Sequence, residues 1–373
     1  MMSLIFKLNR TMIISLFFPL LSFYSITTSA LEITPIGKFQ FISNEAETKV
    51  DQPDGLSGIA YISGEKYLAI SDRHATVHEL SIQLDLDTGD ILKASSKPML
   101  FLKNTDGSTN KEMIGPDREG IIYDNENNSL CISNERTGKN VHLPSITCHS
   151  IKSGKETKII TPTTNEKLSV FSNIRKNAGF ESLSIDNQAS IIWTANEGAL
   201  TIDGDEATKT TGANVRLLQL NKQLQPLKQF VYEVDAIEQS ISANSSLVNR
   251  EFSGLVELLS LPNGELLALE RALVGDSLTQ PALRIRIYKV NYSNATDIYQ
   301  TPLLAGLANS TISYKKVNKK LMFEMFNPAN FTTVNFEGMT YGPKLSNGDY
   351  SLLLIADNNT GLKQTLYSLR LKL

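Results

Sequence analysis

Carboxylates recur in this chain at matched spacings, with arginines close beside them. Glu119 and Glu135 are sixteen residues apart, as are Glu181 and Glu197, and Glu337 precedes Asp357 by twenty. Asp72 and Glu270 stand in comparable settings, and Arg73, Arg118, Arg136 and Arg271 each adjoin one of these acids. Acids gathered in one place repel: two unit charges ~4 Å apart cost about 4 kcal/mol at an effective dielectric near 20. Such a group needs cations or raised pKa values. The arginines are one source of positive charge. Ca²⁺, which takes oxygen ligands of this kind, is the other.

Such a set can hold a divalent cation and move protons. Glu119, Glu181, Glu337 and Asp357 are the expected metal ligands, and Asp72, Glu135, Glu197 and Glu270 the expected acid–base groups. Arg73, Arg118, Arg136 and Arg271 would bind the oxygens of a small anionic or ester substrate. The alternative leaves the same Glu–Arg neighbours as ion-paired staples within a scaffold.

An internal repeat is what would bring these residues together. Its copies begin at Leu56-Ser57-Gly58, Arg118-Glu119-Gly120, Phe180-Glu181-Ser182, Phe252-Ser253-Gly254 and Phe336-Glu337-Gly338. Each continues through an apolar run, a turn and a second apolar run. The copies end Ser71-Asp72-Arg73, Ser133-Asn134-Glu135-Arg136, Ala195-Asn196-Glu197, Leu269-Glu270-Arg271 and Ala356-Asp357-Asn358. Gly58 to Asp72, Gly120 to Asn134 and Ser182 to Asn196 are each fourteen residues. The later copies stretch at Pro262-Asn263-Gly264 and Ser346-Asn347-Gly348, which carry turn chemistry.

Two short β-rich runs around a tight turn read as a hairpin, and a hairpin returns its last residue to the end where it began. The copies start 62, 62, 72 and 84 residues apart, room for a four-stranded unit each time. The expected fold is all-β: a single β-propeller of about six blades, five of them legible as repeats. Short helical insertions are expected in Thr161–Lys176 and Val234–Asn249. The run near Ile33–Ile42 is expected to close the ring against Gln364–Leu371. With the hairpins innermost, the eight acids would surround one mouth of the central channel.

Lys7 and Arg10 precede an uncharged stretch ending in Thr28-Ser29-Ala30, the pattern of an export signal with a cleavage site. Residues 1–30 are therefore expected to be removed and residues 31–373 to form one propeller domain, periplasmic or secreted. No membrane attachment is expected after cleavage, and 34 basic against 39 acidic residues remain. Without a basic excess, no nucleic-acid partner is expected. In an oxidising compartment Cys131 and Cys148, seventeen apart, fit a disulfide; two free thiols also fit.

Asp117-Arg118-Glu119-Gly120-Ile121, Ser133-Asn134-Glu135-Arg136, Gly179-Phe180-Glu181-Ser182-Leu183, Ala195-Asn196-Glu197, Leu269-Glu270-Arg271 and Asn335-Phe336-Glu337-Gly338 together carry a resemblance. The chain resembles the esterase-like phytase domain family from roughly Gly55 to Asn359. The resemblance implies an exported β-propeller associated with phosphoester or ester hydrolysis. Ser182 and Ser253 depart from the family pattern, where Gly and Glu are usual.

Gly275-Asp276-Ser277-Leu278 matches the tetrapeptide of a large esterase and lipase family. No histidine follows His149, so Ser277 has no later histidine to serve as base, and we read the match as coincidence. His74 follows Asp72-Arg73 at a strand end, where it could reach the channel mouth as an acid–base group or metal ligand, but it reads first as a surface residue, while His142 and His149 flank the second blade's loop. Trp193 reads as core. A non-catalytic module binding a sugar phosphate or a protein ligand, and a purely structural exported protein, are the competing readings.

Overall fold

The inner strands are near-continuous buried runs, as in Lys66–Ser71, Phe252–Ser260 and Tyr350–Asp357, because each buries side chains on both faces, between one sheet and the next. The computed structural model describes residues 31–41, 51–109, 117–135, 143–237, 252–274, 283–301, 304, 313–326, 334–358 and 363–373. They form five four-stranded antiparallel sheets. Blade 1 is β2 (Leu56–Ser63), β3 (Lys66–Ser71), β4 (Thr76–Leu84) and β5 (Ile91–Phe101). Blade 2 is β6 (Asp117–Asp124), β7 (Ser129–Glu135), β8 (Ser145–Ser150) and β9 (Glu156–Ile160). Blade 3 is β10 (Ser184–Asp186), β11 (Ile191–Ala195), β12 (Ala213–Asn221) and β13 (Pro226–Val234). Blade 4 is β14 (Phe252–Ser260), β15 (Leu266–Leu273), β16 (Leu283–Asn291) and β17 (Asn318–Met325). Blade 5 is β18 (Asn335–Lys344), β19 (Tyr350–Asp357), β20 (Thr365–Lys372) and, from the other end of the chain, β1 (Glu32–Gln40).

The first strands touch one another in cyclic order, β2 to β6, β10, β14, β18 and back to β2. The fold is a β-propeller with five blades rather than six. Length that left room for a sixth blade lies instead in long connections, notably 161–183 and 196–212. Ring closure occurs where expected, with β1 paired to β20 and Ile33 opposite Leu371.

Five apolar clusters lie between neighbouring blades rather than within single sheets. One joins blades 1 and 2 through Leu68, Ile70, Ile121 and Ile132, and another joins blades 5 and 1 through Ile59, Ala69, Leu353 and Ile355. Each fully buried Leu or Ile contributes about 1.5–3 kcal/mol, so every blade depends on both neighbours. Trp193 is buried between blades 3 and 4, as the sequence suggested.

Near the axis there is no room for side chains on the inner strands. A Cβ on Gly58 would lie 2.2 Å from Glu119 O, and one on Gly338 would lie 2.4 Å from Ser57 O. Glycine there is a condition of close approach. The turn residues Gly264 and Gly348 have φ of 81° and 90°, which L side chains rarely adopt.

Among the described residues one helix is present, a 3₁₀ segment over Glu166–Asn173 capped by Asn165. It lies in the first stretch expected to be helical. The second departs from expectation at its start, since Val234 ends β13, and residues 238–249 lie outside the described residues, as do 1–30. Cys131 and Cys148 face each other across β7 and β8 and are joined by a disulfide.

Candidate functional site

Irregularities in the inner ladders aim side chains at the channel. Between β2 and β3 the register passes from Leu56–Ser71 to Gly58–Ile70, leaving Ser57 out of the ladder. Glu337 is left out in the same way between β18 and β19, and Glu119 with Gly120 between β6 and β7. A residue released from pairing can turn its side chain out of the sheet. Ser57 Oγ accordingly donates to the carboxylates of Glu119 and Glu337, the latter at 3.2 Å. Glu181 and Ser253 hold the same position in blades 3 and 4, and both line the cavity that Glu119 and Glu337 line.

That cavity, about 790 Å³, opens at the mouth where the hairpins begin and end. Asp72, Glu135 and Glu197 reach it from the ends of second strands, and Asp117 from the start of β6. Glu135 accepts the Gly179 N–H at 3.1 Å. Arg271 stands among the acids, its Nη2 3.0 Å from Glu197 Oε1 and its Nη1 donating to Glu337 and to Asn335 Oδ1, the latter at 2.7 Å. Asn335 Nδ2 donates to Glu337 at 2.8 Å.

Burial and mutual repulsion raise the pKa values here. Burial, then Glu337, pushes Asp72 up to about 7; burial, then Glu197, pushes Glu135 up to about 8. Glu119 and Glu181 lie well above the carboxylate range for the same two reasons, and Asp117 and Glu197 are raised as well. Burial works against the charge of Arg271, but Glu337, Glu197 and Glu181 outweigh it and keep the guanidinium firmly protonated. Two sets of carboxylates have ligand oxygens within 4.8 Å of one another: Asp117, Glu119 and Glu135, and Glu135, Glu181 and Glu197. Both sets can hold a metal ion, and Glu135 belongs to both.

The sequence matches the family model described as Phytase-like, esterase-like activity of phytase, over residues 52–360. The chain belongs to this phytase-like family. No curated protein matches it. Among solved structures it is similar to the α-L-arabinofuranosidase PaAbf62A from Podospora anserina in complex with cellotriose, at 8% identity, 91% of this chain, 97% of that chain and a TM-score of 0.42. The α-L-arabinanase of Cellvibrio cellulosa complexed with arabinohexaose gives 11% identity, 87% and 92% coverage and 0.42. The propeller of Dos1 gives 9%, 84%, 67% and 0.33.

In this phytase-like chain, six of the eight acids singled out from sequence line the cavity: Asp72, Glu119, Glu135, Glu181, Glu197 and Glu337. Glu270 and Asp357 do not. Glu135 pairs with Asp117, three residues ahead of Gly120, but Glu270 pairs with Leu255, one residue past Gly254. The blade-4 irregularity falls at Val256, so Glu270 sits deeper in the blade. It accepts from Tyr232 Oη at 2.6 Å, from the Asp235 N–H at 3.1 Å and from Lys319. Asp357 is fully buried, with Arg73 Nη2 3.9 Å away.

Of the arginines singled out from sequence, Arg271 alone among the described residues lines the cavity, where Arg175 joins it. Arg73 binds Asp54 at 2.8 Å. Arg118 is buried, and desolvation lowers its pKa to about 10 against the pull of Asp117. Arg136, Ser277 and His142 lie outside the described residues. His74 is no open surface residue: its side chain is 10% exposed and lies 3.5 Å from Asp54. His149 is buried away from the mouth, its Nδ1 3.0 Å from Gly154 O.

Asp117, Ser57, Asn335 and Arg175 were not singled out from sequence. Asp117 had a signal, because it opens the same motif as Glu119. Glu257 had none. Its carboxylate accepts the N–H groups of Leu183 at 3.0 Å and Leu258 at 2.9 Å, with a further bond from the Met339 backbone. It thereby ties the inner strands of blades 3, 4 and 5 around the axis.

Proposed function

We propose that this phytase-like propeller hydrolyses phosphoric or carboxylic esters at its acidic mouth with the help of a divalent cation. The observation that carries the reading is the convergence of Asp117, Glu119, Glu135, Glu181 and Glu197 into two ligand sets sharing Glu135. The donors are all carboxylate oxygens, which suits a hard cation such as Ca²⁺. Asp72 Oδ1 is buried without a hydrogen-bond partner, with Arg73 Nε 3.9 Å away, so it has acceptor capacity left over. When bound, the cation polarises an ester oxygen and makes water more acidic.

The other roles fall to the chain itself. Asp72, raised to about 7, can exchange a proton near neutral pH and serves as the acid–base group. Arg271, held by Glu197, Glu337 and Asn335, is oriented before substrate arrives and faces the negative charge that develops on the reacting oxygens. Water adds at the carbonyl carbon or phosphorus, the ester bond to oxygen breaks, and the leaving alcohol takes a proton. Glu337, expected as a metal ligand, is ion-paired with Arg271 and belongs to neither carboxylate set.

The Cys131–Cys148 disulfide supports export of the protein to an oxidising compartment. The test is hydrolysis of p-nitrophenyl phosphate and p-nitrophenyl butyrate by purified protein, with millimolar Ca²⁺ or a chelator. Turnover that the chelator abolishes is expected. Stabilisation by Ca²⁺ with no turnover of either substrate would leave the binding-module reading in its place.

A further inference from the structure

Blade 4 gives the cavity a wall unlike the rest. Phe252 lies opposite Leu273, and Leu273 opposite Leu283, so β14, β15 and β16 place three apolar side chains in one cross-strand row. All three line the cavity. At the same end of blade 2 the row begins Asp117–Glu135, and in blade 5 Asn335–Asp357. Leu56, Phe180 and Phe336, two residues ahead of the repeat's Gly or Ser as Phe252 is, are all 0% exposed, whereas Phe252 is 36% exposed. Its ring lies 5.2 Å from the Arg271 guanidinium. An aromatic face left open beside the reacting groups is a surface for a ligand, since the core does not use it.

The charges of the lining point the same way. Among the described residues the cavity is lined by nine carboxylates and two arginines. Both arginines are largely committed to protein partners, and of the Arg271 guanidinium only Nε is left without a hydrogen bond. Arg271 is engaged by Glu197 and Glu337, and Arg175 spends its Nε and Nη2 on the carbonyls of Ala199 and Gly204 at 3.0 and 2.8 Å. Polyphosphorylated substrates are held by arginine and lysine donors aimed at their oxygens. An acidic wall repels them.

We infer that the site, on the hydrolase reading given above, selects esters that are neutral or singly charged and carry an apolar group. That group lies on Phe252 and Leu273, with Leu283 buried behind them. Polyphosphorylated esters are turned away.

The experiment compares kcat/KM for p-nitrophenyl butyrate, p-nitrophenyl phosphate and inositol hexakisphosphate at one ionic strength, with Ca²⁺ in excess over the hexakisphosphate. The butyrate ester is expected to lead, with the hexakisphosphate at least about tenfold behind. Phe252→Ala should raise KM for the butyrate about tenfold with kcat little changed, the size of effect an apolar contact carries. Phe252→Tyr, which keeps the ring, should restore it. Hexakisphosphate turned over as efficiently as the butyrate, or an unchanged KM in Phe252→Ala, would overturn the inference. If the wild type turns over none of the three, the hydrolase reading fails and binding decides selectivity. The butyrate raising the melting point of wild type but not of Phe252→Ala would then uphold it, and the hexakisphosphate doing so at lower concentration would refute it.

Discussion

Arg271 of blade 4 and Glu197 of blade 3 meet 3.0 Å apart at the rim of the channel, both almost fully buried. The same guanidinium reaches Glu337 of blade 5, so one side chain links three blades. Removing it would leave two buried carboxylates facing each other without compensation, at a cost of about 3–5 kcal/mol. Arg271→Ala should therefore lower the melting point markedly. Arg271→Lys should recover only part of the loss, because an ammonium cannot copy the fork. A melting point for Arg271→Ala within a degree of wild type would show that the link carries little stability.

Glu135 belongs to both carboxylate sets, whereas Glu270 is tied to Tyr232, Asp235 and Lys319 away from the cavity. Glu135→Gln should abolish the rise in melting point caused by millimolar Ca²⁺, together with hydrolysis. Glu270→Gln should leave both intact while lowering stability. Paired thermal melts with Ca²⁺ and with chelator, on both variants, decide between the two residues.

The pH response follows from acids whose folded pKa values are raised, to about 7 for Asp72 and about 8 for Glu135. Between their ordinary values near 4 and these higher ones the folded state binds more protons than the unfolded state. Stability therefore falls as pH rises through that window. Protein in chelator should melt progressively lower from pH 5 to pH 8. The stabilisation added by Ca²⁺ should grow over the same range, because cations compete with protons for the carboxylates. A chelated protein that becomes more stable towards pH 8 would contradict the assignment.

Cys131 and Cys148 close a loop with a sequence separation of 17, for which chain entropy estimates about 3 kcal/mol of stabilisation. Reduction, or replacement of both residues by Ser, should lower the melting point by several degrees. Activity at low temperature should persist, since the pair spans β7 and β8 inside blade 2 and does not line the cavity. Loss of activity on reduction without any change in melting point would assign the pair a different role.

The repeat was legible because a propeller writes its period into the chain. Each inner hairpin needs a small residue where strands converge, an apolar run on either side of a turn, and polar ends. Gly58, Gly120 and Gly338 meet the first need directly. Spacing alone therefore determined the hairpins, their arrangement around an axis and the end of each blade at which the acids gather; Glu119, Glu135, Glu181, Glu197, Glu337 and Asp72 are the six of eight that reach the mouth. Ring closure was equally readable, because the first and last runs were the strands left over.

The number of blades was not, because length does not distinguish a degenerate blade from a long connection such as 161–183. Register also needed the tertiary structure. A one-residue irregularity at Val256 moves Glu270 out of the mouth, while the skipped residues Glu119 and Glu337 are turned into it. Nor could spacing show which cation each acid meets: Arg73, next in sequence to Asp72, binds Asp54 at 2.8 Å and lies 3.9 Å from both Asp72 and Asp357, and Arg271 reaches blades 3 and 5. A sequence fixes which residues a hairpin carries to its end. Which of them face the channel, and what they touch there, depends on ladder register and on neighbouring blades, and those are set only when five sheets pack around one axis.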